Sequence, residues 1–424
     1  MKPVSDFRNI GKNLVRVDGK QKILGKATYP GDLYMEDMLY GVTVRSTEPH
    51  AYFSLDLSEA QNLHGVVKIL THEDITGENH HGVYFKDHEV FCKNKVRRIG
   101  DPLAFIIAES KNIAIEAKKR IKVEYEKLPT VFDPREAMKG NSPKIHGDSN
   151  VIYHYKCRKG DIEDGFEKCD VIVENEYKTS MVDHVFLQIE SGLAYLEDDE
   201  TVVICAATQY PHFDQIEIAE ALGLPKEKIR IINPAVGGAF GGREDITMQI
   251  HIALGTLLTK RPIKVDYSRE ESFYAHSKRH PLYMKFKTGA DNKGKLVAME
   301  AEIVGDTGAY ASWAVNVLRK AGVHATGPYE IPNVKIDSYA VYTNNPFCGA
   351  MRGFGATQTP VACEQQMDIL AEKLGISPIE MRLKNCFRNN STTATGQVLI
   401  ESVPLERCIE TVAKQMSFNE SEMG

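Results

Sequence analysis

Three short segments hold residues suited to gripping an electron-rich group. The stretch GGAFGGRE (237–244) packs four glycines and one phenylalanine into six residues, then ends on Arg243 and Glu244. Ordering such a run costs backbone entropy and buries little surface. Its use is bare backbone: a glycine loop that leads into a helix presents free N–H groups and the positive end of a helix dipole, which suits a phosphate or an oxo group. Two familiar phosphate motifs do not fit. A P-loop needs Lys then Ser or Thr where Arg243 and Glu244 stand, and a dinucleotide fingerprint needs glycine where Ala239 stands. The plainer reading is a tight strand-to-helix turn packed by Phe240. A second cluster, CGAMRGFGA (348–356), again brackets one phenylalanine, Phe354, with small residues and adds Arg352. Two such loops can wall a narrow slot in which N–H groups meet a polar head and rings sandwich a flat substrate. Otherwise Arg352 is a surface ion-pair residue and Phe354 belongs to the core. The third piece is Thr208-Gln209, where an amide can donate a hydrogen bond to an oxo ligand or carbonyl, or can simply end a strand.

These pieces need a frame. GVVKIL (65–70) and PLAFIIAES (102–110) read as strands, NIAIEAKKR (112–120) as a helix and IKVEY (121–125) as an alternating strand. THED (71–74) has a helix-capping pattern. Residues 128–150 are rich in Pro, Gly, Asn and Asp. The expected organisation is an N-terminal arm (1–20), an α/β domain (21–135), a linker (136–150) and a second domain (151–424). In the latter, DVIVENEYKT (170–179), LAYLEDDETVVICAAT (193–208) and IRIINP (229–234) read as strands and PHFDQIEIAEALGL (211–224) as a helix. Ile246, Ile250, Ala253, Leu254, Leu257 and Leu258 predict a helix running to Lys260, so the first glycine loop sits between strand and helix. IKVDYS (263–268) returns to strand and KGKLVAMEAEIVGDTG (293–308) reads as a strand pair. EQQMDILAEKLG (364–375) and the run from SPIE (377–380) read as helices.

The 424 residues suffice for two or three domains. A formal charge of −6 gives no basic excess for nucleic acid. No apolar run reaches membrane-spanning length, and MKPVSDFRNIGKNL lacks the apolar core of a signal peptide, so a cytoplasmic protein is expected. None of the eight cysteines forms a C-x-x-C pair, which points to buried reduced thiols rather than a zinc ribbon or an iron–sulfur site. His276 and His280 stand four apart, as zinc ligands on a helix can, but no third ligand is evident. His80-His81 is expected in a polar loop without a specific role.

Taken together and in this order, Thr208-Gln209, GGAFGGRE and Arg352-Gly353-Phe354-Gly355 resemble the molybdenum-binding subunit of the xanthine oxidase family of molybdenum hydroxylases. GKATYPGDL (25–33), RIGDPLAFIIAES (98–110), VEYEKLP (123–129) and RHPLYMKFKTGAD (279–291) add to the resemblance, which covers nearly the whole chain. It implies an α+β fold: a small α/β hammerhead domain, then the first part of the molybdopterin-binding domain. It implies a molybdopterin cytosine dinucleotide carrying molybdenum with a terminal sulfido or selenido ligand, and FAD and [2Fe-2S] clusters on partner subunits. Long single-chain members continue to a Gly-Val-Gly-Glu segment whose Glu is the catalytic base. That segment is absent here, so a second molybdopterin subunit is expected to carry it, and no catalytic residue is assigned on this chain.

The resemblance places Gln209, Gly238, Ala239, Phe240, Gly241, Ala350, Met351, Arg352 and Gly353 at the cofactor, with no side chain bound to the metal. Phe354 would pack on an aromatic substrate, Glu244 would orient it, and Lys320 would attract a carboxylate. Glu244 is as readily a first-turn helix acid, and Lys320 a solvated surface residue. The implied reaction hydroxylates an N-heteroaromatic ring, nicotinate to 6-hydroxynicotinate, with oxygen from water and electrons passing through Fe-S and FAD to NADP. The alternatives are a purine or aldehyde dehydrogenase subunit, or a non-catalytic cofactor-handling homologue.

Overall fold

A computed structural model describes residues 7–416. Strand Pro102–Ala108 is buried at every position, as its unbroken apolar run requires of a strand covered on both faces. It lies between Leu39–Arg45 and Val66–Leu70, both antiparallel to it. These three strands do not form a sheet of their own. Leu39–Arg45 also pairs in parallel with Ile263–Asp266, through Leu39 with Ile263 and Tyr40 with Lys264. The result is one seven-stranded sheet, completed by Ser191–Leu196, Val202–Ala206 and Ile229–Ile232. Helices Pro211–Leu222 and Gln249–Thr259 contact its later strands, and Ile204, Ile218, Leu254 and Ile263 are fully buried in that core. The first helix ends on left-handed Gly223, the stop its sequence signals.

The second sheet has five strands, in the order Val171–Lys178, Leu282–Ala290, Leu296–Gly308, Asn333–Tyr342 and Val151–Lys159. Helices Ala314–His324 and Pro360–Leu374 cover it over Phe286, Ile303, Leu318 and Leu370. Between residues 128 and 150, Asp133 caps a short helix, Pro134–Ala137. Val131, Ala137 and Ile145 pack there against Tyr310, Tyr342 and Phe347.

Three expectations are corrected. Residues 296–308 form one thirteen-residue strand rather than two. The turn precedes it, at 291–295, where Asp291 bonds Lys295 and Gly294 takes φ 82°. The helix after the glycine loop starts at Gln249, whose own Oε1 accepts the N–H groups of Thr247 and Met248 (2.8 and 2.9 Å). Residues 243–248 therefore intervene, the helix dipole does not act at the loop, and Glu244 is not a first-turn helix acid. His80-His81 pairs with His88–Glu89. His81 is buried and stacks on His88 (4.6 Å), which stacks on Tyr310 (4.0 Å).

One buried carboxyl sets a pH dependence. Glu217, on helix Pro211–Leu222, accepts the Gly82 N–H at 2.8 Å, and burial pushes its carboxyl up to about 8. Because the folded state holds this proton more tightly, the associated stability is complete below the unfolded value of about 4.5 and is lost as pH rises through about 8. Glu217→Gln should therefore flatten the fall in stability between pH 5 and pH 8 by about 2–3 kcal/mol. Urea midpoints measured across that range check this.

Candidate active site

Strand Val202–Ala206 runs out at Gln209, strand Ile229–Ile232 leads into the first glycine loop, and residues 348–356 form the second. The three are bonded into one rim. Gln209 Oε1 accepts the N–H groups of Gly241 (2.8 Å) and Arg243 (3.4 Å), and the Gln209 N–H donates to the Arg243 carbonyl (2.9 Å). The Arg352 N–H donates to the Phe240 carbonyl (2.9 Å), which joins the two loops directly. A Cβ at Gly241 would stand 2.5 Å from the Ala350 oxygen, and Gly241 has φ 103°. Only glycine allows this approach.

Phe240 and Phe354 hold φ values of 55° and 53°. That region is a genuine outlier for a bulky residue, with a cost of roughly 1–3 kcal/mol, and it persists where the surroundings enforce it. Here the enforcement is visible: the Phe240 carbonyl is held by Arg352, and the Phe354 N–H bonds the Met351 carbonyl (2.8 Å). The Arg352 guanidinium lies 5.4 Å from the Phe240 ring. Phe354 meets Trp313 edge-on (6.0 Å), and Trp313 faces Tyr210 (5.6 Å), the neighbour of Gln209. The contacts thus close a circuit from Gln209 through Gly241, Phe240, Arg352, Phe354, Trp313 and Tyr210.

The backbone of both glycine loops is left partly open. Among the described residues, the N–H groups of Gly238, Ala239 and Phe240 have no partner, nor do those of Ala350, Met351 and Gly353. The Gln209 amide, fixed by its oxygen, keeps an NH₂ whose bond to Glu244 Oε1 is long, at 3.4 Å. Burial, with a smaller contribution from neighbouring Asp245, pushes the Glu244 carboxyl up to about 7. Asp245 is itself pushed up to about 6 by burial and is bonded by Ser312 Oγ (2.6 Å). Lys320 is exposed on helix Ala314–His324, its Nζ 6.0 Å from the Phe354 ring centre.

Every cofactor or substrate residue singled out from sequence lies on this rim or, for Lys320, at its edge. Sequence reasoning missed three others. Trp313 carries the aromatic wall, and its only signal was being the chain's single tryptophan. Arg243 looked like a motif charge but turns inward: Nε donates to the Gly238 carbonyl (3.0 Å), Nη2 to that of Gln188 (2.6 Å), and the guanidinium covers Phe186 (4.3 Å). Arg279 Nη2 holds the Arg352 carbonyl (2.9 Å).

Residues 145–386 match the molybdopterin cofactor-binding domain, and residues 24–129 match the a/b hammerhead domain of aldehyde oxidase and xanthine dehydrogenase. The chain belongs to the xanthine oxidase family of molybdenum hydroxylases. It is 43% identical to the nicotinate dehydrogenase large molybdopterin subunit of Eubacterium barkeri, over 96% of each chain. It is 39% identical to a probable xanthine dehydrogenase subunit of Bacillus subtilis, covering 88% of this chain and 50% of that one. The aldehyde oxidoreductase structure from Desulfovibrio gigas superposes with a TM-score of 0.90 at 30% identity, over 94% of this chain and 46% of that one. The chain thus spans nearly all of the first relative and about half of the other two.

Proposed function

We propose that this chain forms one part of the molybdenum site of a hydroxylase that converts an N-heteroaromatic acid, nicotinate to 6-hydroxynicotinate, with water as the oxygen source. The observation that carries this reading is the closed rim of Gln209, Phe240 and Arg352, with six unpartnered N–H groups on its two glycine loops. The end-to-end likeness to a nicotinate dehydrogenase subunit supports the choice of substrate.

The donor set suits a metal that brings its own ligand. Among the described residues the rim offers no cluster of three metal-ligating side chains, only N–H donors, an amide and one carboxyl. A molybdopterin cytosine dinucleotide, with a terminal sulfido or selenido ligand, would supply the two-electron oxidation and the activation of water when bound. The N–H groups of residues 238–240 and of Ala350, Met351 and Gly353 would take its anionic groups, and Gln209 Nε2 would donate to an oxygen at its head. Phe354, backed by Trp313, would lie against the substrate ring, and Lys320 would draw in its carboxylate. The base, a second molybdopterin subunit with a Gly-Val-Gly-Glu segment, and Fe-S and FAD subunits passing electrons to NADP would come from partner chains. No helix among the described residues is long and apolar enough to cross a membrane, and a cytoplasmic complex accords with that.

Turnover of nicotinate in ¹⁸O-labelled water by the purified complex, with mass analysis of the product, tests this reading. One labelled oxygen in 6-hydroxynicotinate is expected. Preference for xanthine or an aldehyde would move the chain to another branch of the family, and no turnover of any of the three would reject the reading. Two variants probe the rim. Phe354→Ala should lower kcat/KM for a flat aromatic substrate about tenfold, the scale of one lost aromatic contact. Lys320→Met should raise KM for an anionic substrate about threefold at low salt and leave it unchanged at high salt. Steady-state kinetics at two ionic strengths reads both.

A further inference from the structure

Beneath the glycine loops lies a second cluster of chemistry-bearing side chains that the proposed function does not use. Asp183, His184 and His276 each bring a ligand atom to within 4.8 Å of the others. His276 is 1% exposed and His184 7% exposed.

The neighbours fix which nitrogens are free. His184 Nε2 lies 2.8 Å from the Ala350 carbonyl, and His276 Nδ1 lies 3.0 Å from the Ser277 carbonyl. A carbonyl oxygen only accepts, so both nitrogens must carry hydrogen. In the neutral rings this leaves lone pairs on His184 Nδ1 and His276 Nε2. Both of these atoms are buried without a hydrogen-bond partner. Unsatisfied buried polar atoms are costly, and two imidazole lone pairs beside carboxylates want a cation. His276 Nε2 stands 3.7 Å from Asp183 Oδ1 and 3.7 Å from Glu190 Oε1. Glu190 Oε1 is also unpartnered, while its other oxygen accepts from Ser272 Oγ (2.6 Å). Ligands at about 2.0–2.1 Å around a tetrahedral zinc are separated by about 3.4 Å. His276 Nε2 is therefore already near that spacing from both carboxylates, and the His184 ligand atom, within 4.8 Å of those of Asp183 and His276, needs only a small inward shift to join them.

Lys278 is the group that argues against a metal. Its Nζ lies 3.0 Å from Asp183 Oδ2 and donates to the His276 carbonyl (2.6 Å). It occupies the oxygen of Asp183 opposite the one nearest His276, and so orients that carboxylate as outer partners of metal ligands do. The Val185 N–H donates to Oδ1 (2.8 Å), which leaves that oxygen a further lone pair. Arg243, on the Glu190 side, spends its guanidinium on the Gly238 and Gln188 carbonyls.

We infer that Asp183, His184 and His276, with Glu190 beside them, form a structural site for one zinc ion that braces the floor of the cofactor cradle. The link to the cradle is direct: His184 holds the Ala350 carbonyl, and a Cβ on Gly242 would meet the His184 ring at 3.0 Å. Two imidazoles and a carboxylate are a borderline donor set that favours zinc over calcium or magnesium. The pair His276 and His280, four apart in sequence, does not provide it. Helix Arg269–Ala275 ends before His276, and His280 Nε2 faces Thr307 Oγ1 at 3.3 Å.

The purified complex, dialysed against metal-free buffer, tests this by elemental analysis for zinc and molybdenum together. About one zinc per copy of this chain is expected. His276→Gln and Asp183→Asn should each cut zinc at least tenfold, whereas Lys278→Met, which removes the competing ammonium, should retain it. Cobalt(II) added to chelator-stripped wild-type complex should give the visible absorption of a tetrahedral site, and His276→Gln should not. Wild-type complex that holds no zinc and takes up neither zinc nor cobalt would overturn the inference, whatever its molybdenum content. Zinc that stays in both ligand variants would overturn it too.

Discussion

Gly241→Ala should leave the complex with less than about one tenth of its molybdenum. The added methyl would stand 2.5 Å from the Ala350 oxygen and 3.0 Å from Met351 Cα, both backbone atoms that cannot rotate away. The φ of 103° at this residue is also unfavourable for any residue with a Cβ. The two turns must then part, which breaks the Arg352–Phe240 and Gln209–Gly241 bonds together. These bonds position the open N–H groups, so the variant loses the cradle while its sheets remain intact. Molybdenum and pterin content should fall in parallel, with thermal unfolding displaced by only a few degrees, since the strain is local. Full molybdenum occupancy in Gly241→Ala would show that the turns need not touch.

Glu244→Ala should lower kcat/KM by about 10- to 100-fold, and Glu244→Gln should recover most of it. The half-buried Glu244 carboxyl, pushed up to about 7 chiefly by burial, keeps its proton at pH 6 and loses it by pH 8. A protonated Glu244 can donate to a ring nitrogen where an ionised one cannot. Wild-type kcat/KM should therefore fall as pH rises through about 7. The glutamine variant keeps a donor that does not titrate, so its profile should lose that limb. Losing a donor to a buried substrate atom costs on the scale of 1–3 kcal/mol, which sets the range for alanine. A Glu244→Gln profile with the wild-type inflection would assign the titration to another group, with Asp245 beside it the first to examine.

The glycine loops show what sequence conveys and what it does not. Their composition announces a bare-backbone site, because glycine is expensive to order unless something needs the space. That Phe240 and Phe354 take left-handed φ is invisible in composition, since the rule for phenylalanine is the opposite. For Phe240 it is held by a bond between loops over a hundred residues apart, and for Phe354 by the Met351 carbonyl of its own turn. The strands at 102–108 and 202–206 were legible because unbroken apolar runs have few other uses. Their union in one sheet was not, because the parallel pairing of Leu39–Arg45 with Ile263–Asp266 joins segments more than two hundred residues apart through only two registered pairs. Helix Gln249–Thr259 was legible as periodicity, but its start was misplaced because apolar Ile246 continues the helical spacing through a turn. Arg243 carries no role in the sequence, where it only ends the glycine motif; the position of Phe186 and of two carbonyls reveals it as an internal strut.

The molybdenum centre is expected within the rim of Gln209, Phe240 and Arg352. An anomalous difference map from crystals of the intact complex, recorded at the molybdenum edge, tests this most directly. A single strong peak per copy of this chain is expected, facing the N–H groups of residues 238–240 and within hydrogen-bonding reach of the Gln209 amide through one ligand oxygen. A peak elsewhere in an active complex, with solvent alone inside the rim, would contradict it.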